Sequence, residues 1–180
     1  MSSVSFVVPV FNKSLYLKHV VKSISSQEGD FDKEYIFIDD GSTDDSLKIL
    51  KKETRKLKNC KIVSQKNRGS ANATNVGIRM AKMKYIKFLD ADDVILSNAT
   101  FCLLELLEKN QKSVLAYGLQ RKVKNIKSVD LNEAFDCNKS FVIQNPIFLA
   151  MRNSMFNPSQ FLVRRKLCQR AGGCDERIIH

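Results

Sequence analysis

Asp90-Ala91-Asp92-Asp93 packs three carboxylates into four consecutive residues. Carboxylates that close repel one another and raise each other's pKa unless a positive group sits among them. A divalent hard cation is the natural partner, because it takes carboxylate oxygens and fills its other positions with water or phosphate. An acidic turn that caps the next helix is the plainer alternative, and this stretch alone leaves both open. Two more stretches carry candidate chemistry. Asp39-Asp40 is a second acidic pair, followed by Gly41. The run from Asn67 through Arg68 and Gly69 to Gly77 is small and polar. At a helix start such a run admits close backbone approach and favours an anion. Tight helix–sheet packing would select the same residues.

These groups need elements to position them. Val4–Val10 is apolar and β-branched, as a parallel strand buried on both faces would be, with Pro9 at its end. Leu17, Val20, Val21 and Ile24 then recur at helical spacing, with Asn12 or Ser14 as the expected cap. Residues 34–40 read as a second strand. A helix is expected over 44–58, with Leu47, Leu50 and Leu57 inward and a capping box from Ser42 and Asp45. Cys60–Gln65 is a third strand, a helix follows to about Lys82, and Tyr85, Ile86, Phe88 and Leu89 make a fourth strand. Strand and helix alternate, which is the pattern of a parallel α/β sheet with right-handed crossovers. Both acid pairs then fall at carboxyl ends of strands, where such sheets place ligands. No GxGxxG or P-loop fingerprint is present, which argues against ordinary dinucleotide or P-loop chemistry.

The later chain is less regular. A helix over 98–111 and a strand from Ser113 to Tyr117 are expected, then short helices at 130–135 and 145–151. A strand at Phe161–Val163 and a helix over 164–171 follow, closed by Gly172-Gly173. Phe141, Phe148, Met151, Met155 and Phe156 could fill the core or stack on an acceptor.

The 180 residues suit one domain. No apolar run approaches the roughly 20 residues that span a bilayer, and the N-terminus lacks a basic region before its apolar run. A cytoplasmic location is the expectation. Five cysteines without a CxxC pair predict free thiols in a reducing compartment. The net charge is +11, and residues 48–68 hold nine lysines and arginines against Glu53 alone. A solvated helix face explains this, with peripheral contact at the inner face of an anionic membrane as the functional alternative. Nucleic acid is not an expected partner.

Four segments now stand in a recognisable order: Pro9-Val10-Phe11-Asn12, Asp39-Asp40-Gly41-Ser42-Thr43-Asp44, Asn67-x-Gly69 with Ala71, Asn75 and Gly77, and Asp90-Ala91-Asp92-Asp93. Together they resemble the family-two inverting glycosyltransferases, which use nucleotide-sugar donors. Ala171-Gly172-Gly173-Cys174-Asp175-Glu176 extends the resemblance to almost the whole chain. It implies a GT-A type fold: a Rossmann-like, mostly parallel sheet flanked by helices, with a less regular acceptor-side half. Residues 1–95 would bind the nucleotide sugar and 96–180 would form the acceptor side. By resemblance, Asp92 coordinates Mg²⁺ or Mn²⁺, and Asp90 and Ala91 lie near the ribose or donor sugar. Asp40, with Asp39, accepts a hydrogen bond from the nucleobase, for which a uracil N–H and hence a UDP-sugar is the natural partner. The Pro9–Asn12 turn lines the nucleotide pocket, and Arg68 either approaches the diphosphate or is a plain surface arginine. Asp175 and Glu176 belong to the acceptor-side loop. The acceptor would be a hydroxyl of a surface polysaccharide, lipopolysaccharide, glycoprotein glycan or lipid-linked glycan.

Two departures stand out. Thr74 replaces an arginine common before the asparagine of the third segment. Cys174 replaces an aromatic, and the acidic pair that carries the family's catalytic base does not occur before His180. The chain is therefore expected to be a catalytic domain cut short, able to bind nucleotide and metal. A non-catalytic binding module and a sugar nucleotidyltransferase are the rivals. The latter usually has a glycine-rich, basic loop after its first strand, which Pro9–Asn12 is not.

Overall fold

The computed structural model describes residues 1–133, 137 and 157–177. Among the described residues six strands and five α-helices build the fold. In order they are β1 (Ser2–Val10), α1 (Leu17–Ser25), β2 (Phe31–Asp39), α2 (Ser46–Glu53), β3 (Cys60–Ser64), α3 (Ser70–Met80), β4 (Tyr85–Phe88), α4 (Ala99–Lys109), β5 (Leu115–Tyr117), β6 (Phe161–Arg164) and α5 (Arg165–Arg170). The strands form one six-stranded sheet in the order β3-β2-β1-β4-β6-β5. The first four run parallel, while β6 is antiparallel to both β4 and β5.

Period-two alternation divides the core between the two faces. Phe6, Val8 and Val10 of β1 pack with Leu17, Val20 and Ile24 of α1 and with Leu50, Leu104 and Leu107. Val7 points the other way and joins Ile36, Ile38 and Ile86 under Ala73 and Ile78 of α3. That second contact is close because of Gly77, where an added Cβ would lie 2.3 Å from Val7 Cγ1. On this α3 face Glu34 is buried, and its carboxylate accepts from Ser5 Oγ at 2.7 Å, Lys82 N at 2.9 Å and Lys61 Nζ at 3.1 Å.

Several local expectations are corrected. The cap of α1 is Tyr16, with no side-chain bond, because Asn12 and Ser14 are engaged with the loop after β2. The capping box of Ser42 and Asp45 does not form: Ser42 Oγ accepts instead from Asn12 N. Helix α2 stops at Glu53; at its end Thr54 keeps the helical N–H bond to the Leu50 carbonyl at 2.9 Å, and its hydroxyl folds back onto the same carbonyl at 2.7 Å. Leu57 still packs against the core from the turn beyond. Residues 126–128 form a short 3₁₀ turn, and the described part of 130–135 is a turn and not a helix. The expected helix at 145–151 and the cluster Phe141, Phe148, Met151, Met155 and Phe156 lie outside the described residues.

The cysteine expectation is also overturned in part. Cys102 on α4 and Cys137 are joined by a disulfide across 35 residues of sequence, while Cys60, Cys168 and Cys174 are free thiols. Spacing along the chain carries no signal for a pair so remote, because only the return of the chain against α4 brings the sulfurs together.

Candidate active site

The carboxyl edge of β1 and β2 is built by interlocked loops. Val10 lies opposite Asp39, so the two strands end together. Asn12 then adopts a left-handed backbone with φ of 51°. A non-glycine residue holds this conformation when its surroundings fix it. Here its Oδ1 accepts from Thr43 N at 2.8 Å and Asp44 N at 3.3 Å. Lys13 N donates to Ser46 Oγ at 2.8 Å, and Ser14 N to Asp44 Oδ2 at 3.1 Å. Burial works against the Asp44 carboxylate, but bonds from Ser46 and Ser14 outweigh it and hold the carboxyl down to about 2. Along this turn Val10 is buried, Pro9 half-buried, and Phe11 exposed.

Asp39 and Asp40 are both buried. Asp40 Oδ1 accepts from Gln65 Nε2 at 2.8 Å and Arg68 N at 3.0 Å, and its Oδ2 from Gly69 N at 2.8 Å. It therefore organises the loop that leads into α3. Asp39 accepts from Ser64 Oγ at 2.8 Å and Ser42 N at 3.3 Å. A carboxylate has about four acceptor sites, so Asp39 retains more spare capacity than Asp40. Gly41 is required between these loops: its φ is 72°, and a Cβ there would lie 2.8 Å from Asn67 N. The backbone of Arg68 is held by Asp40, while its side chain is exposed.

The third acidic group follows β4. Burial first, and then Asp93 and Asp92, push the Asp90 carboxyl up to about 6 against the pull of Lys13 and Lys87. Ala91 is buried and Asp92 is exposed. Asp92 Oδ2 receives the ammonium of Lys13 at 2.5 Å. Asp90 N donates to Ser159 Oγ at 2.9 Å, and Asn157 Nδ2 reaches Asp93 Oδ2 at 3.4 Å. Beneath them Lys87 is fully buried and donates to the carbonyls of Phe88 and Ser159. Burial drives its ammonium down to about 7, with Asp93 and Asp90 opposing. The acid loop is thus tied to the turn before β6 through Lys87, Ser159 and Asn157.

Among the described residues no three His, Cys, Asp or Glu side chains converge into a metal cage. A cation carried on phosphate oxygens needs only one or two carboxylates. The ammonium resting on Asp92 shows that this loop accepts positive charge, so its residues fit such an ion.

The loop after α5 docks on α3. Asn75 takes both backbone groups of Cys174, accepting from its N–H at 2.7 Å and donating to its carbonyl at 2.9 Å. Glu176 Oε1 accepts from Asn75 Nδ2 at 2.9 Å and Oε2 from Asn72 Nδ2 at 2.8 Å. Gln65 Nε2 donates to both Asp40 and Asn72, at 2.8 and 2.9 Å. A path of hydrogen bonds so runs from Asp40 to Glu176. Asp175 bonds Arg177 locally, accepting from its Nε at 2.9 Å.

Sequence reasoning overlooked Lys13, Lys87, Gln65, Asn72, Asn157 and Ser159. Lys87 did leave a signal, as one lysine inside an apolar strand. The others are ordinary polar residues whose partners lie far off in sequence.

A mostly parallel sheet that gathers acid pairs from β2 and β4 beside the turn after β1 is a GT-A type architecture. The chain belongs to glycosyl transferase family 2, whose sequence profile matches residues 5–172. It is 36% identical over 130 residues to the poly-beta-1,6-N-acetyl-D-glucosamine synthase of Staphylococcus epidermidis, a match covering 72% of this chain and 31% of that one. It is similar in fold to S. aureus TarS 1-349 in complex with UDP-GlcNAc, with a TM-score of 0.71, 20% identity, and coverage of 96% of this chain and 48% of that one. It is also similar to the mannosyltransferase PcManGT from Pyrobaculum calidifontis in complex with GDP-Man and Mn²⁺. There the TM-score is 0.72 and the identity 17%, with coverage of 97% of this chain and 48% of the other. The chain therefore spans about a third of the synthase and about half of the two solved chains.

Proposed function

We propose that this chain binds a nucleotide-diphosphate sugar, a UDP-sugar, and takes part in moving the sugar to a hydroxyl of a growing glycan or lipid-linked acceptor with inversion. The observation that carries the reading is the meeting of Asp92, Lys13 and the Asp39–Asp40 pair at one carboxyl edge of the sheet. The names of its relatives support it: one makes poly-N-acetylglucosamine, one is solved with UDP-GlcNAc, and one with GDP-Man and Mn²⁺.

Each residue has a role in this reading. The turn Pro9–Asn12 lines the nucleotide pocket. Asp39, with its spare acceptor sites, takes the uracil N–H, while Asp40 shapes the loop that presents Arg68. Asp90 and Ala91 face the ribose and donor sugar. Asp92 holds Mg²⁺ or Mn²⁺, which when bound supplies positive charge for the departing diphosphate. Asp175 and Glu176 shape the acceptor side. Inversion needs a general base opposite the leaving group, and no described residue is assigned that role. Among the described residues no helix is long and apolar enough to cross a membrane. The exposed lysines of α2 and the turn before β3 offer a face for peripheral contact with anionic lipid.

Calorimetry with UDP and Mn²⁺, beside a transfer assay, tests the reading. Binding that needs Mn²⁺ and disappears in Asp92→Asn is expected. Equal binding by Asp92→Asn counts against the assignment, and binding without transfer marks a donor-binding module.

A further inference from the structure

The turn after β1 is built to aim one lysine. Asn12 is locked in its left-handed conformation by Thr43 and Asp44, and the next backbone N–H is fixed to Ser46 Oγ at 2.8 Å. Lys13 leaves this anchored point toward the end of the neighbouring parallel strand β4, and its ammonium rests on Asp92 Oδ2 at 2.5 Å. The side chains of Lys13 and Asp92 are 35% and 40% exposed. Water reaches the pair, so it can open without leaving a buried charge. Lys87 is a different kind of neighbour, since it is fully buried and bonded to two carbonyls.

We infer that Lys13 is a tethered cation with two positions: on Asp92 in the ligand-free protein, and on the donor diphosphate once a divalent cation has taken that carboxylate. The inference rests on the donor-binding reading above. Its logic is charge accounting at one carboxylate. Asp92 Oδ2 is occupied by an ammonium in this structure, so a metal ion that takes this carboxylate competes with Lys13 for its charge and for that oxygen. The displaced ammonium stands on a flexible four-carbon stem at the edge where the diphosphate binds. There it adds positive charge to the leaving group, where charge develops during transfer. Lys13 thus opposes metal binding to the free protein and favours nucleotide binding to the metal-loaded protein. A merely structural ion pair would not have effects of opposite sign.

The test uses the full chain with Lys13→Met, which keeps the length of the stem, and Lys13→Arg, which keeps the charge. Titration with Mn²⁺ alone, followed by electron paramagnetic resonance, reads the first effect. Calorimetric titration with UDP at saturating Mn²⁺ reads the second. Lys13→Met should bind Mn²⁺ about 3–10-fold tighter and UDP about 10-fold weaker, as expected for gain and loss of one close charge contact. Lys13→Arg should recover most of the UDP affinity. Unchanged or weaker Mn²⁺ binding in Lys13→Met overturns the inference, as does unchanged UDP binding. If the unaltered chain binds neither Mn²⁺ nor UDP, the donor-binding reading itself fails. If it binds both and Lys13→Met behaves identically, only the role of Lys13 fails.

Discussion

Asn75 holds Cys174 as a second strand would, accepting from its N–H at 2.7 Å and donating to its carbonyl at 2.9 Å. Together with Asn72, which donates to Glu176, this side chain fastens the loop after α5 to helix α3. The fit is tight enough that Gly173, with φ of 81°, has no room for a side chain: its Cβ would lie 2.4 Å from Asn75 Oδ1. Asn75→Ala should raise amide exchange in residues 172–177 by about tenfold while leaving β1 and β2 unchanged. Asn75→Asp should be worse, because it turns a carboxylate oxygen toward the Cys174 carbonyl and Glu176. Equal exchange in wild type and both variants would show that the loop is held by something else.

Gly77 sets the distance between α3 and the sheet. Its missing side chain leaves room for Val7, whose χ1 is restricted by branching. Gly77→Ala should therefore cost about 1–3 kcal/mol of stability in urea melts. Because the clash is with one side chain, Gly77→Ala combined with Val7→Ala should cost less than the sum of the two single changes.

Glu34 links stability to pH. Burial tends to raise its pKa, but bonds from Ser5, the Lys82 N–H and Lys61 prevail, and its folded pKa lies below the ordinary value. The unfolded value is about 4.3. The carboxylate thus contributes stability above that pH, and the contribution is lost as pH falls through the lower folded value. Glu34→Gln should cost about 1–3 kcal/mol at neutral pH. Its acid limb below about pH 4.3 should be flatter than that of the wild type, as followed by circular dichroism.

Asn12 combines a backbone and a side-chain demand. Asn12→Gly keeps the left-handed turn and loses the bonds to Thr43 and Asp44, at a cost of about 1 kcal/mol. Asn12→Ala loses the bonds and adds left-handed strain, for about 1–2 kcal/mol more. In both, the aim of Lys13 toward Asp92 loosens, so UDP affinity with Mn²⁺ should fall in step with stability. Alanine equal to glycine in both measurements would remove the strain from the account.

Much of the frame is legible in the chain itself. The runs Val4–Val10, 34–40 and Tyr85–Leu89 read as buried strands, and all three pair in parallel at the centre of the sheet. The face of α1 is equally plain, since Leu17, Val20, Val21 and Ile24 are all buried. Helix boundaries were less legible. Asn12, Ser14 and Ser42 carry the chemistry of helix caps, yet each bonds across the β1–β2 edge instead. The antiparallel entry of β6 beside β4 has no local signature, because a four-residue strand reads alike in either direction.

By itself, the sequence determined the alternation of strands and helices and the placing of acid pairs at strand ends. Both follow from local patterning, where burial on a period of two or 3.6 leaves its mark on neighbouring residues. Tertiary structure alone decided what those acids meet. Lys13 is 79 residues from Asp92, Asn75 is 99 from Cys174, and Cys102 is 35 from Cys137. Charge pairing and hydrogen bonding act through space over a few ångströms. Partners so remote in sequence are chosen only when the sheet closes and brings their strand ends to one edge.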